Sequence, residues 1–127
     1  MKELTKAEEQ VMHFLWEMKK GFLKDLVEAF PDPRPAYTTV STVIRVLVKK
    51  KFIGYNTYGK VHEYYPLISR QEYFRHHVKS IVSNHFDGSM VNFASFFTGD
   101  RDLDLSELEE MRTLIDRKIE QLKKEQP

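Results

Sequence analysis

The side chains best placed for chemistry in this sequence are cations with no anions among them. Between Pro33 and His62 lie six basic residues, Arg34, Arg45, Lys49, Lys50, Lys51 and Lys60, and not one Asp or Glu. A segment of that kind can neutralise phosphates and release the counterions condensed on a polyanion. Charge runs are also common as plain solvated faces, so charge alone leaves both readings open. Histidine offers a second chemistry. His76, His77 and His85, with Glu72, fall in one helical stretch, and His77 and His85 are spaced to share a helix face. Zinc sites use tighter ligand pairs, a third ligand and a shaped pocket. No Gly-rich phosphate loop and no nucleophile elbow occurs, and His13 and His62 are isolated. The histidines therefore read as structural or surface residues, and no catalysis, metal or cofactor is expected.

The elements that must position the cations follow from periodicity. Thr5 with Glu8 is a capping box opening a first helix, whose apolar stripe is Val11, Met12, Leu15 and Trp16, and Gly21 ends it. Phe22 suits a short extended piece. A second helix runs from about Leu23 to Phe30, and Pro31, Pro33 and Pro35 then make a stiff loop. A third helix spans about Thr38 to Lys50, with Val40, Val43, Ile44, Leu47 and Val48 as its buried face. After Lys51 the period becomes two. Tyr55 to Tyr58 and Val61 to Tyr65 read as strands of a hairpin turning at Gly59–Lys60, with His62 and Tyr64 on one face and Val61, Glu63 and Tyr65 on the other.

The remainder reads as three helices. Ser69 with Glu72 caps one that reaches His85; Phe86–Asp87–Gly88 breaks it. A short apolar helix covers Ser89 to Phe97, and Ser106 with Glu109 is expected to cap a last helix running to Lys124. The expected architecture is mainly α: a winged helix-turn-helix (three helices plus a β-hairpin wing) over residues 1–68, then a C-terminal helical dimerisation arm over residues 69–127. The first part carries a net charge of +3 and the second −2.

On the third helix, Thr38, Thr42, Arg45 and Lys49 point away from the buried face at about 100° per residue. Hydroxyls near the helix start and cations further along suit a groove-reading surface, since Thr can meet a base edge or a thymine methyl and Arg can read guanine. Lys60, at the hairpin tip, could reach a neighbouring phosphate. The absence of cysteine excludes disulfides and thiolate metal sites. No secretory signal and no apolar run of membrane-spanning length is present, so a cytoplasmic protein without membrane insertion is expected.

In Leu4 to Met12, Tyr37 to Val43, Leu47 to Ile53 and the Glu63-Tyr64-Tyr65 end of the wing, the chain resembles the penicillinase-repressor (BlaI/MecI/CopY) family of winged-helix regulators. Order and spacing carry the match, which extends over essentially the whole chain. The resemblance implies a homodimeric repressor on a palindromic double-stranded DNA operator, with contacts falling on Thr38, Thr39 and Ser41. Some members carry Lys and Arg where Thr38 and Ser41 stand, so the operator sequence does not transfer. Copper-responsive members have a C-terminal cysteine cluster that is absent here. Antibiotic-responsive members are inactivated by cutting an Asn–Phe bond; Asn92–Phe93 stands at the matching place, which implies a membrane-bound sensor metalloprotease as partner. Phe93 also reads simply as core beside Met90, Phe96 and Phe97.

Two stripes are expected at the dimer interface. One is Tyr73, Phe74, Val78, Ile81, Val82 and Phe86; the other is Leu108, Met111, Ile115, Ile119 and Leu122, close to the a/d spacing of pairing helices. An arm of this size cannot readily bury both by itself. The alternatives are a winged-helix regulator answering a small molecule or metal without proteolysis, and a protein-interaction module, which would call for an acidic or apolar recognition face.

Overall fold

The computed structural model describes residues 3–100 and 102–126; the outer limits of the two expected domains, residues 1 and 127, lie outside that range. The elements run α1 (Lys6–Met18), β1 (Gly21–Phe22), α2 (Leu23–Ala29), α3 (Tyr37–Lys49), β2 (Ile53–Tyr58), β3 (Val61–Pro66), α4 (Arg70–His85), α5 (Met90–Thr98) and α6 (Leu105–Glu125). The chain divides into two compact units, the first ending at Lys79 and the second beginning at Ser80.

In the first unit the capping box forms as the sequence requires. The Glu8 N–H donates to Thr5 Oγ1 at 3.2 Å, and the Thr5 N–H donates to Glu8 Oε1 at 2.8 Å, satisfying donors that a helix start leaves open. The α2 start is held similarly, with the Phe22 N–H donating to Asp25 Oδ2 at 2.8 Å. Val11, Met12 and Leu15 of α1, Leu26 and Val27 of α2, and Val40, Ile44 and Leu47 of α3 meet in one core with Phe52 and Ile53. Because three helices converge on it, the β-branched residues of α3 are stabilised by packing rather than by helix propensity.

The wing is an antiparallel hairpin in the expected register, with Tyr55 opposite Tyr64, Thr57 opposite His62 and Tyr58 opposite Val61. Gly59 turns it with φ at 62°, a left-handed value that a side chain would resist. The sheet has a third strand: Gly21 and Phe22 pair with Tyr64 and Glu63, giving the order β1-β3-β2. Two residues are too few to show a period, so the sequence indicated only an extended piece there.

The first unit also extends past residue 68. Tyr73 of α4 is 2% exposed and belongs to the same core, its ring 6.1 Å from Phe52 and 5.9 Å from Trp16. Its hydroxyl donates to Glu9 Oε2 at 3.0 Å, and Trp16 Nε1 donates to the Ile68 carbonyl at 2.8 Å. Burial of the ring, with Glu9 beside it, pushes the Tyr73 phenol up to about 12. Tyr73 is thus corrected from an intersubunit residue to a core residue that ties α4 to α1. Phe74 stands 6.0 Å from the Trp16 ring and stays 43% exposed.

The second unit holds the end of α4, then α5 and α6. Asp87 and Gly88, at φ 53° and 74°, break the chain between α4 and α5. Ser89 caps α5, accepting from the Asn92 N–H at 3.1 Å. The α6 cap is Asp104 with Glu107, not Ser106 with Glu109: Asp104 Oδ1 accepts from the Glu107 N–H at 2.8 Å, and Ser106 lies inside the helix. Asp caps as well as Ser, so the same spacing two residues earlier wins. The Phe86, Phe93, Phe96 and Phe97 rings form a small cluster with centroids about 5.5 Å apart. Neither α5 nor α6 has a buried residue among those described. None of the helices is long and apolar enough to cross a membrane, among the described residues.

Candidate nucleic-acid interface

The outward face of α3 carries Thr38, Thr42, Arg45 and Lys49, all exposed, with Ser41 half-buried among them. This is the complement of the Val40, Ile44 and Leu47 stripe, so the core fixes which side chains face outward. The Thr42 hydroxyl donates to the Thr38 carbonyl at 2.9 Å. Its hydrogen is therefore occupied, which leaves Thr42 Oγ1 an acceptor for an outside donor.

Two shallow clefts flank this face. One, of about 320 Å³, is bordered by Leu23, Tyr37, Thr38, Ser41, Thr42 and Arg45. The other, of about 340 Å³, lies between α3 and the wing and brings Ser41, Arg45 and Val48 opposite Tyr55, His62 and Tyr64. Ser41 and Arg45 border both, so they sit on the ridge between them. Burial raises the Tyr64 phenol above its ordinary value, Tyr55 adds to the rise and Arg45 opposes it. The wall of the cleft is thus phenol and imidazole facing a guanidinium, an arrangement suited to an anion.

Other residues named from the sequence lie apart from this ridge. Thr39 is exposed but borders a different groove, formed with the proline loop by Pro31, Pro33 and Pro35. Lys60, at the wing turn, borders a cleft of about 480 Å³ with Phe22, Leu23, Lys24 and Asp25. Lys49 is exposed in the last turn of α3. Not all six cations of the acid-free segment are available to an outside anion. Lys50 is held by Glu8 of α1; Arg34 Nε donates to the Phe30 carbonyl at 3.3 Å, but its guanidinium stays half-exposed with further donors to offer. Residues not named as interface candidates also stand in the site: Tyr37, half-exposed at the start of α3, and Tyr55, His62 and Tyr64 on the wing. The strand alternation already put His62 on the face shared with Tyr64; the register across the two-residue turn adds Tyr55.

No three His, Asp or Glu side chains come together to hold a metal ion among the described residues. His77 stacks on Tyr73 at 6.0 Å with an interplanar angle of 11°, and its Nδ1 lies 3.9 Å from Glu3.

The sequence pattern of the family described as "Penicillinase repressor" matches residues 4–117. The methicillin resistance regulatory protein MecI of Mammaliicoccus sciuri is 26% identical over 117 residues, covering 91% of this chain and 95% of that protein. The protein of the same name from Staphylococcus aureus strain N315 matches with the same identity and coverage. Among solved structures, the solution structure of the DNA binding domain of the repressor BlaI superposes with a TM-score of 0.50 at 23% identity, covering 57% of this chain and 94% of that domain. The winged-helix fold of the first unit is shared with that domain.

Proposed function

Since this chain belongs to the penicillinase repressor family, matched over residues 4–117, we propose that it is a DNA-binding repressor that presents α3 to a duplex and acts as a homodimer on a two-fold symmetric operator. The observation that carries this reading is the α3 ridge: Thr38, Ser41, Thr42 and Arg45 stand outward in a segment without a carboxylate, beside an anion-suited cleft. Phosphate contacts by Arg45, Lys49 and Lys60 would supply affinity, and Thr38, Ser41, Thr42 and Arg45 would meet base edges. Thr39, on the proline-loop side, would take a backbone contact.

Dimerisation is supported by α6. Ile115 is 60% exposed, Ile119 43% and Leu122 46%, in one seam with the half-buried Leu108 and Met111. A polar-backed helix with an open apolar seam is stabilised by a second copy. On the fourth helix, Phe74, Val78 and Ile81 remain candidates for the same interface. Two linked half-site contacts raise affinity by about 10² to 10⁴ over one, so loss of the dimer would release the operator.

The proposed off switch is a cut between Asn92 and Phe93 by a membrane-bound sensor metalloprotease. Asn92 is exposed on the first turn of α5, and the Phe93 N–H donates to the Ser89 carbonyl at 3.1 Å. Only the first turn must open to extend this bond, and the Asp87–Gly88 break directly precedes it.

The test is retention of fragments of the organism's own genome by the purified full-length protein at low salt. Salt-sensitive binding with selection of a two-fold symmetric sequence is expected. Failure to retain any fragment would refute the reading.

A further inference from the structure

We propose that His62 is a proton-linked contact to the DNA backbone, so that binding takes up a proton and tightens as pH falls. The inference rests on the DNA-binding reading above and deepens it.

His62 sits in the outer half of the wing, on the face turned toward α3. Its ring is held by three neighbours. Thr57 Oγ1 lies 3.0 Å from Nδ1, and the Tyr55 and Tyr64 rings stand at 4.3 Å and 6.1 Å. The Thr57 hydroxyl suits both protonation states, because it can donate to Nδ1 in the neutral ring and accept from Nδ1–H in the charged one. In the charged ring, and in the neutral ring when Thr57 donates to Nδ1, Nε2 carries a hydrogen that can be given to an anion. The ring is therefore fixed in place without being committed to one charge.

Charged side chains border the clefts on both sides of the ring. Arg45 faces it across the cleft from α3. On the other side Lys24 of α2 and Lys60 of the turn border the same residue, together with one carboxylate, Asp25. Asp25 Oδ2 accepts from the Phe22 N–H at the α2 cap while the carboxylate keeps its charge, and Tyr55 and Tyr64 are phenols. No carboxylate forms an ion pair with His62 among the described residues. A phosphate entering the cleft between His62 and Arg45 would be met by both side chains. A phosphate there favours the charged ring. Any group whose affinity for a proton rises on binding makes binding depend on pH. Imidazole is the side chain that ordinarily does so between about pH 5 and 8.

The experiment uses the full-length protein and a random-sequence duplex at constant ionic strength, with affinity measured from about pH 5.5 to about 8. Wild type should weaken as pH rises, by up to about tenfold per pH unit for each linked proton. His62→Gln keeps a neutral donor but cannot titrate, and should flatten the profile. His62→Lys holds the charge and should bind with a flat profile at the wild-type low-pH affinity. Binding heats of wild type in buffers of different ionisation enthalpy report the proton directly, without any variant. A flat wild-type profile with no proton uptake overturns the inference while leaving the DNA-binding reading intact. The same slope in wild type and His62→Gln overturns it too, assigning the proton elsewhere. Absence of duplex binding at every pH would remove the DNA-binding reading itself.

Discussion

Lys50 holds Glu8 in a partly buried pair, its Nζ 2.8 Å from both carboxylate oxygens. The pair joins the end of α3 to the start of α1, where Glu8 also closes the Thr5 capping box. Burial would raise the Glu8 carboxyl, but Lys50 and Thr5 outweigh it and hold the group below its ordinary value. The unfolded chain therefore binds more protons than the folded one across that interval. The stability contributed by Glu8 is complete above the ordinary glutamate value and is lost as pH falls through the lowered one. Glu8→Gln should cost about 2–4 kcal/mol, because it strands a mostly buried ammonium, and should remove that part of the acid dependence. Denaturant unfolding between neutral and acid pH measures both. Combining it with Lys50→Met should recover much of the loss; a strictly additive double variant would show that the two side chains do not interact.

The same pair shows what the sequence made legible and what it could not. Capping at Thr5 and Ser69, the apolar stripes of α1 and α3, and the two-residue wing turn are local patterns, and each formed where spacing put it. The α6 cap was displaced because two boxes of equal spacing overlap, at Asp104 and Ser106, and local pattern cannot rank them. Lys50 looked like one of six equivalent cations because its partner lies 42 positions away. Tyr73 looked like interface because an apolar residue on an amphipathic helix gives no sign of which surface covers it. On the ridge, Arg45 and Thr42 followed from helix geometry alone, whereas the facing wall of Tyr55 and His62 needed the hairpin folded back over α3.

Arg45 and Lys49 form no ion pair among the described residues, whereas Lys50 is held by Glu8, which separates their roles. Arg45→Ala and Lys49→Ala should each weaken duplex binding and lower the salt dependence, by about 0.9 in the log–log slope for each phosphate no longer neutralised. Lys50→Met should change stability and leave the slope unaltered. Titrations across a range of salt concentrations distinguish them. Identical slopes for wild type and both alanine variants would place the phosphate contacts on another surface.

Tyr73 and Ile115 should likewise part company. Tyr73→Phe removes the hydroxyl that bonds Glu9 Oε2 and the Leu4 backbone and should cost about 1 kcal/mol per bond lost while leaving subunit association unchanged. Ile115→Asp puts a charge into the α6 seam and should yield monomers that lose operator affinity at low concentration. Sedimentation reads the association state, and thermal unfolding confirms that each variant is folded. A dimer that persists with Ile115→Asp would put the interface elsewhere than α6.

The bond proposed for cleavage is protected by one turn of helix, so its rate should follow the strength of that turn. Ser89 Oγ accepts from the Asn92 N–H at 3.1 Å, and removing such a cap costs about 1 kcal/mol of helix-start stability. Ser89→Ala should therefore open the first turn of α5 more often and speed cleavage, by up to about fivefold if opening equilibrates before the cut. Asn92→Ala leaves the Phe93 ring itself unaltered and should resist the protease, with DNA affinity unchanged because no ridge residue is altered. Immunoblots of the full chain after induction follow the cut, and reporter expression follows its consequence. Normal derepression of the Asn92→Ala protein, with the chain intact, would mean that the operator is released by some route other than this bond.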